Sequence, residues 1–119
     1  MASSRQIVQV WFDAWESGRF TDIPITDDFR HFSPFGVVEG KASYLEMVEA
    51  NRDKFLGHRF IIHEGLYESD RAAVRYTAVQ GDFSLEVSEW YQFEGDLIRE
   101  IRAYYHIGEI GEDRQLKPS

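Results

Sequence analysis

The chain predicts a single α+β domain: a cone-shaped, strongly curved antiparallel sheet with N-terminal helices packed on its concave face. Three observations lead there. Apolar residues recur at helical spacing through the first part of the chain. After Gly57 the period switches to two, as along a strand. The alternating segments are joined by Ser69-Asp70, Gly81-Asp82 and Gly95-Asp96, links so short that consecutive strands must run antiparallel.

The elements follow in order. Ser3 and Gln6 have capping-box spacing, and Ile7, Val10, Trp11, Ala14 and Trp15 then recur on one face, so a helix runs from Ser4 to Ser17 and ends at Gly18. Phe20 to Asp28, which contains Pro24, holds a short helical turn before the chain extends. Phe29 to Ser33 reads as a short strand closed by Pro34 and Gly36. Tyr44, Leu45 and Val48, with charges between them, mark a second amphipathic helix from Lys41 to Phe55, ended by Gly57. Four long strands follow, His58–Glu68, Arg71–Gln80, Phe83–Glu94 and Leu97–Ile107. The domain then covers residues 1–108. Residues 109–119 form a polar tail, expected to be loosely ordered or to lie on a partner subunit.

Composition narrows the possible partners. With 119 residues, 43% of them apolar and 15% aromatic, the chain can bury a core without metal or disulfide support. Its 13 basic and 21 acidic residues leave a net charge of −8, which repels nucleic acid and anionic membrane surfaces. Cysteine is absent, and His31, His58, His63 and His106 lack metal-ligand spacing, so neither a metal nor another cofactor is expected. The N-terminus does not read as a signal peptide and no run reaches membrane-spanning length, which makes the cytoplasm the expected location.

A long, strongly twisted sheet with helices on one side curls and leaves a hollow. Alternation assigns the residues that face it. On the third long strand Phe83, Leu85, Val87, Glu89, Tyr91 and Phe93 share a face, and Glu89 is the single charge among them. Phe29, His31, Ser33 and Phe35 face inward from the first strand; Val74, Tyr76 and Ala78 from the second long strand; Ile101, Ala103, Tyr105 and Ile107 from the last. A few polar groups in an apolar concavity suit a small, largely apolar ligand, because apolar area supplies affinity and polar groups fix orientation. The other face carries Arg30, Arg75, Arg99 and Arg102, together with Val79, Trp90, Ile98 and Tyr104. Aromatics on a broad sheet face point to an interface, here expected to be that of a homodimer.

The segments WFDAWESGRF, DDFRHFSPFGVVEG, SDRAAVRYTA and SEWYQFEGDLIREIRAYY, in this order, resemble the nuclear transport factor 2-like superfamily, and within it the polyketide cyclase (SnoaL-like) and ketosteroid isomerase-like group. The resemblance extends to about Gly108. It implies a cofactor-independent pocket and a dimer through the outer sheet face. By similarity, the catalytic aspartate of ketosteroid isomerases falls on Ser33, and their oxyanion-binding Tyr and Asp fall on Trp11 and Glu89. The Asp-Arg-Asp set of limonene epoxide hydrolase falls on Ala78, Tyr76 and Ala103, which argues against epoxide opening by that route. The histidine and tyrosine chemistry of scytalone dehydratase is matched only by His31 with Tyr76, Tyr91 and Tyr105.

The resulting expectation is a small-molecule pocket protein. His31 and Glu89 form an acid/base pair for isomerisation, dehydration or cyclisation, and Trp11, Trp15, Ser33, Tyr76, Tyr91, Ala103 and Tyr105 contact the ligand. The alternative is a non-catalytic ligand-binding or dimerisation module of the same fold.

Overall fold

The computed structural model describes residues 2–116. Helix α1 (Ser4–Ser17) leads through a 3₁₀ turn (Phe20–Asp22) into β1 (Ile25–Ser33) and β2 (Gly36–Glu39). Helices α2 (Lys41–Ala50) and α3 (Arg52–Phe55) precede a meander of β3 (Arg59–Tyr67), β4 (Arg71–Gln80), β5 (Phe83–Glu94) and β6 (Leu97–Tyr104). Two 3₁₀ turns, Ile107–Glu109 and Glu112–Arg114, end the described chain.

Local chemistry sets most of these boundaries. The Ser3 hydroxyl accepts from the Gln6 amide while the Gln6 side chain accepts from the Ser3 amide, closing the expected capping box. Gly18 ends α1 in the left-handed conformation, at φ 79°. Gly81 and Gly95 open the last two hairpin turns at φ 59° and 61°, a positive φ that primed hairpin turns need at their first position.

The six strands form one sheet in the order β2-β1-β6-β5-β4-β3. Its neighbours are antiparallel with one exception: β1 runs parallel to β6, so the expected all-antiparallel sheet is in fact mixed. Further boundaries differ from expectation. The last strand stops at Tyr104, so Ile107, expected to face inward, lies in a 3₁₀ turn and is exposed. The first strand begins four residues early, at Ile25, and continues through a hairpin into the exposed edge strand β2, whose four residues are too few to show a period. The second helix breaks at Asn51, whose side chain donates to the Met47 carbonyl at 2.8 Å and draws that acceptor out of the helical ladder.

The core lies between the concave face and the helices. Trp11, Phe12 and Trp15 from α1 meet Phe29 of β1 and Tyr76 of β4, with Trp11–Trp15 and Phe12–Tyr76 in edge-to-face contact at 5.4 and 4.9 Å. Ile98, assigned to the outer face by alternation, is fully buried in this core. A bulge explains the correction: Phe93 pairs with Ile98 but Gln92 pairs with Glu100, so Arg99 is the extra residue and the faces exchange there.

The tail does not stand away from the domain. Arg114 lies over the Phe83 ring at 4.0 Å and its guanidinium donates to the Gln80 side chain, while Lys54 donates to the Gln115 carbonyl. These contacts hold residues through Leu116 against their own chain; residues 117–119 of the expected tail lie outside the described residues. No described helix is long and apolar enough to cross a membrane.

Candidate functional site

The hollow under the helices is a cavity of about 580 Å³, within the range that takes a small organic ligand. Trp11 and Trp15 reach it from α1, His31 and Ser33 from β1, Tyr44 from α2, Tyr76 from β4, Glu89 from β5, and Ala103 and Tyr105 from the last strand and its end. Of the residues expected to act on or contact the ligand, only Tyr91 does not line it. Its ring is 1% exposed, sunk behind the carboxyl it serves. Alternation alone assigned the face; the depth at which each side chain stops depends on what lies above it.

Glu89 is 5% exposed and, among the described residues, has no cation beside it. Its partners are neutral donors. Tyr91 Oη donates to Oε1 at 2.5 Å, and the Tyr76 hydroxyl and Trp11 indole N–H bond to the same carboxyl. Burial raises the Glu89 pKa and outweighs the opposing pull of these three donors. An ionised carboxylate has about four acceptor positions, so three donors leave one open to the cavity. The tyrosines shift in the same direction: burial and then the Glu89 charge push Tyr76 and Tyr91 well up, keeping their hydroxyls protonated as donors.

His31 sits across the floor. In the register Glu89 stands beside Ala103 of β6, and His31 beside Ile101 two residues earlier, so the two are separated by one strand and a diagonal step. No hydrogen bond or ion pair joins them among the described residues, and the expected acid/base pair is therefore not a contacting couple. The small Ala103 side chain lies between Ser33's strand and Glu89, and leaves that floor low. Burial alone lowers the His31 pKa from 6.5 to about 4, so the imidazole is neutral at physiological pH. Its ring packs on Tyr44 at 5.3 Å and Phe29 at 6.3 Å, and its nitrogens have no hydrogen-bond partner among the described residues.

Two further features frame the site. The Ser33 hydroxyl accepts from the Phe35 amide at 3.2 Å and bonds the Tyr105 hydroxyl, so it serves the hairpin as much as the cavity. Trp15 Nε1 is buried with no hydrogen-bond partner among the described residues. Sequence reasoning missed Tyr44 as a site residue because its helical spacing marked it as core. Its hydroxyl group is nonetheless near enough to Glu89 and Tyr105 for their charges, after burial, to raise its pKa well above the ordinary value. No group of three or more potential metal-ligating side chains occurs among the described residues.

The fold is that of the nuclear transport factor 2-like proteins. An NTF2-like protein of unknown function from Cytophaga hutchinsonii is similar over 91% of this chain and 94% of its own, at 17% identity and a TM-score of 0.78. A SnoaL-like protein of unknown function from Burkholderia thailandensis shares 23% identity over 86% and 92% of the two chains, with a TM-score of 0.69. An LEH-like epoxide hydrolase of M. tuberculosis shares 14% over 87% and 83%, with a TM-score of 0.74. At these identities the likeness is one of fold. Comparison with curated proteins finds no match. The SnoaL-like domain family matches residues 8–101, most of the chain. The chain belongs to that family.

Proposed function

We propose that the chain binds a small, largely apolar carbonyl or hydroxyl compound and moves a proton on it without a cofactor, in an isomerisation, dehydration or cyclisation. The observation that carries this reading is a buried carboxyl held only by neutral donors and open to an apolar cavity. A carboxyl with a raised pKa exchanges protons closer to neutral pH than an ordinary glutamate, which suits a general acid or base. His31, neutral at physiological pH, donates an N–H to a substrate oxygen on which charge develops. Trp11 and Trp15 supply apolar contact, and Tyr44 and Tyr105 orient the ligand from the sides.

Solvent exchange tests this before the substrate is known. In deuterated buffer, a panel of small cyclic ketones and enones should take up deuterium at their acidic carbons faster with the protein than without it. Glu89→Gln should abolish the excess, and His31→Ala should reduce it by at least about tenfold. Unchanged exchange in both variants would remove the proposed roles.

A second reading rests on the same three donors. They satisfy most of the carboxyl's acceptor capacity, as in a purely structural group, and a non-catalytic binding domain would show ligand affinity with no exchange. In either case we expect a homodimer through the convex face, where Trp90 and Tyr104 are 54% and 55% exposed. Light scattering that shows only monomer at micromolar concentration would contradict this.

A further inference from the structure

The far end of the cavity differs in chemistry from the Glu89 end. Six residues of β5 separate Glu89 from Phe83, about 20 Å of extended strand, and both line the same cavity. Around Phe83 stand Lys54 of α3 and Arg114 of the tail, both half-buried and both lining the cavity. His58 is there too, its pKa lowered by burial and further by the Arg114 charge, against the pull of a hydrogen bond to the Phe55 carbonyl.

The two cations stand apart by their position. Among the described cations six arginines find a carboxylate, and Arg5, Lys41, Arg59 and Arg99, which do not, lie outside the lining of this cavity. Lys54 and Arg114 find no carboxylate among the described residues, although the chain carries 21 acidic side chains and Glu112 and Asp113 directly precede Arg114. Lys54 donates to the Gln115 carbonyl, and Arg114 to the Gln80 side-chain oxygen while stacking on Phe83. An ammonium has three donors and a guanidinium five, so each keeps donors free. Two cations without counter-charge, at one end of a long apolar cavity in a chain of net charge −8, match an anion supplied from outside.

We propose that the cavity takes an amphipathic anion, with its apolar body along β5 and a carboxylate held between Lys54 and Arg114. This rests on the reading of the cavity as a ligand site, and names the class of ligand. The reactive carbon then lies toward Glu89, at the end away from the carboxylate. Such a charge also gives the tail a purpose: Arg114 brings residues 110–116 over the bound head group.

Competition against a neutral fluorescent probe, N-phenyl-1-naphthylamine, separates the two ideas. Decanoate should displace the probe at about tenfold lower concentration than 1-decanol, the advantage of a charged hydrogen bond over a neutral one, and added salt should shrink that margin. Lys54→Met and Arg114→Met should each erode it, the double variant should erase it, and Arg114→Lys should restore part of it, the margin being the decanoate-to-decanol ratio within each variant so that any change in probe affinity cancels. Equal displacement by decanoate and decanol in the wild-type chain would overturn the proposal, as would a full margin in the double variant. If the probe does not bind at all, the ligand-site reading fails and this proposal falls with it.

Discussion

Two glutamates are buried on opposite faces of one sheet, and their surroundings differ in kind. Glu89, on the concave face, is 5% exposed; Glu100, on the convex face, is 4% exposed. Glu100 is clamped by two cations, Arg30 at 2.8 Å and Arg102 at 3.2 Å, whose guanidiniums lie over Phe32. Arg30 and Arg102, on the outer face by alternation, are thus ion-paired there. Glu89 has hydroxyls and an indole instead, and a cavity in front of it. Equal burial therefore has opposite consequences. Full counter-charge turns one carboxylate into a fastener, while the other, held by neutral donors, has its pKa raised by burial.

Removing each group should separate the two roles. Glu100→Ala leaves two arginines facing each other across Phe32. Both are about half exposed and can rehydrate, so the cost should be about 2 kcal/mol, below the range for a fully buried pair. Urea denaturation checks this, and a loss of about 0.5 kcal/mol or less, ordinary for a surface site, would mean that the clamp is ornamental. Tyr91→Phe, on the other side, should cost about 1 kcal/mol for the lost hydrogen bond. It should also raise the Glu89 pKa further, since Tyr91 is the strongest of the donors that lower it. A carboxyl carbon resonance that titrates unchanged in the variant would show that the bond does not tune the site.

A further effect is in the pH profile. An imidazole at 6.5 in the unfolded chain and about 4 in the fold contributes stability in full above pH 6.5, and loses it as the pH falls from there toward 4. A carboxyl raised by burial has the opposite sign: its contribution is full below the ordinary 4.5 and is lost as the pH climbs through the raised value. His31→Gln should flatten the acid loss of the urea midpoint between pH 6.5 and 4. Glu89→Gln should gain on the wild type as the pH rises above the ordinary carboxylate value. Parallel profiles for all three proteins would show that neither group is buried as the structure has it.

The strands of the meander were readable because each is long, alternates, and is closed by a two-residue turn; β4 and β5 begin and end where their pattern does. Glu89 was readable for the same reason, as one charge in a row of apolar positions. Tyr44 was not, because a tyrosine at helical spacing on α2 looks like core until the sheet opposite is known to be hollow. Ile98 was misplaced because a single-residue bulge at Arg99 inverts the alternation, and nothing in the local pattern marks it.

Helix α1, the meander and the inward charge are properties of neighbours in the chain, where capping, turn chemistry and side-chain period act over a few residues. Those the sequence determined by itself. The parallel pairing of β1 with β6, the three donors gathered on Glu89 from α1, β4 and β5, and the tail laid over Phe83 join residues far apart in the chain. Only the tertiary structure decided these, because which distant surfaces meet depends on how the whole sheet curls and on what the helices leave uncovered.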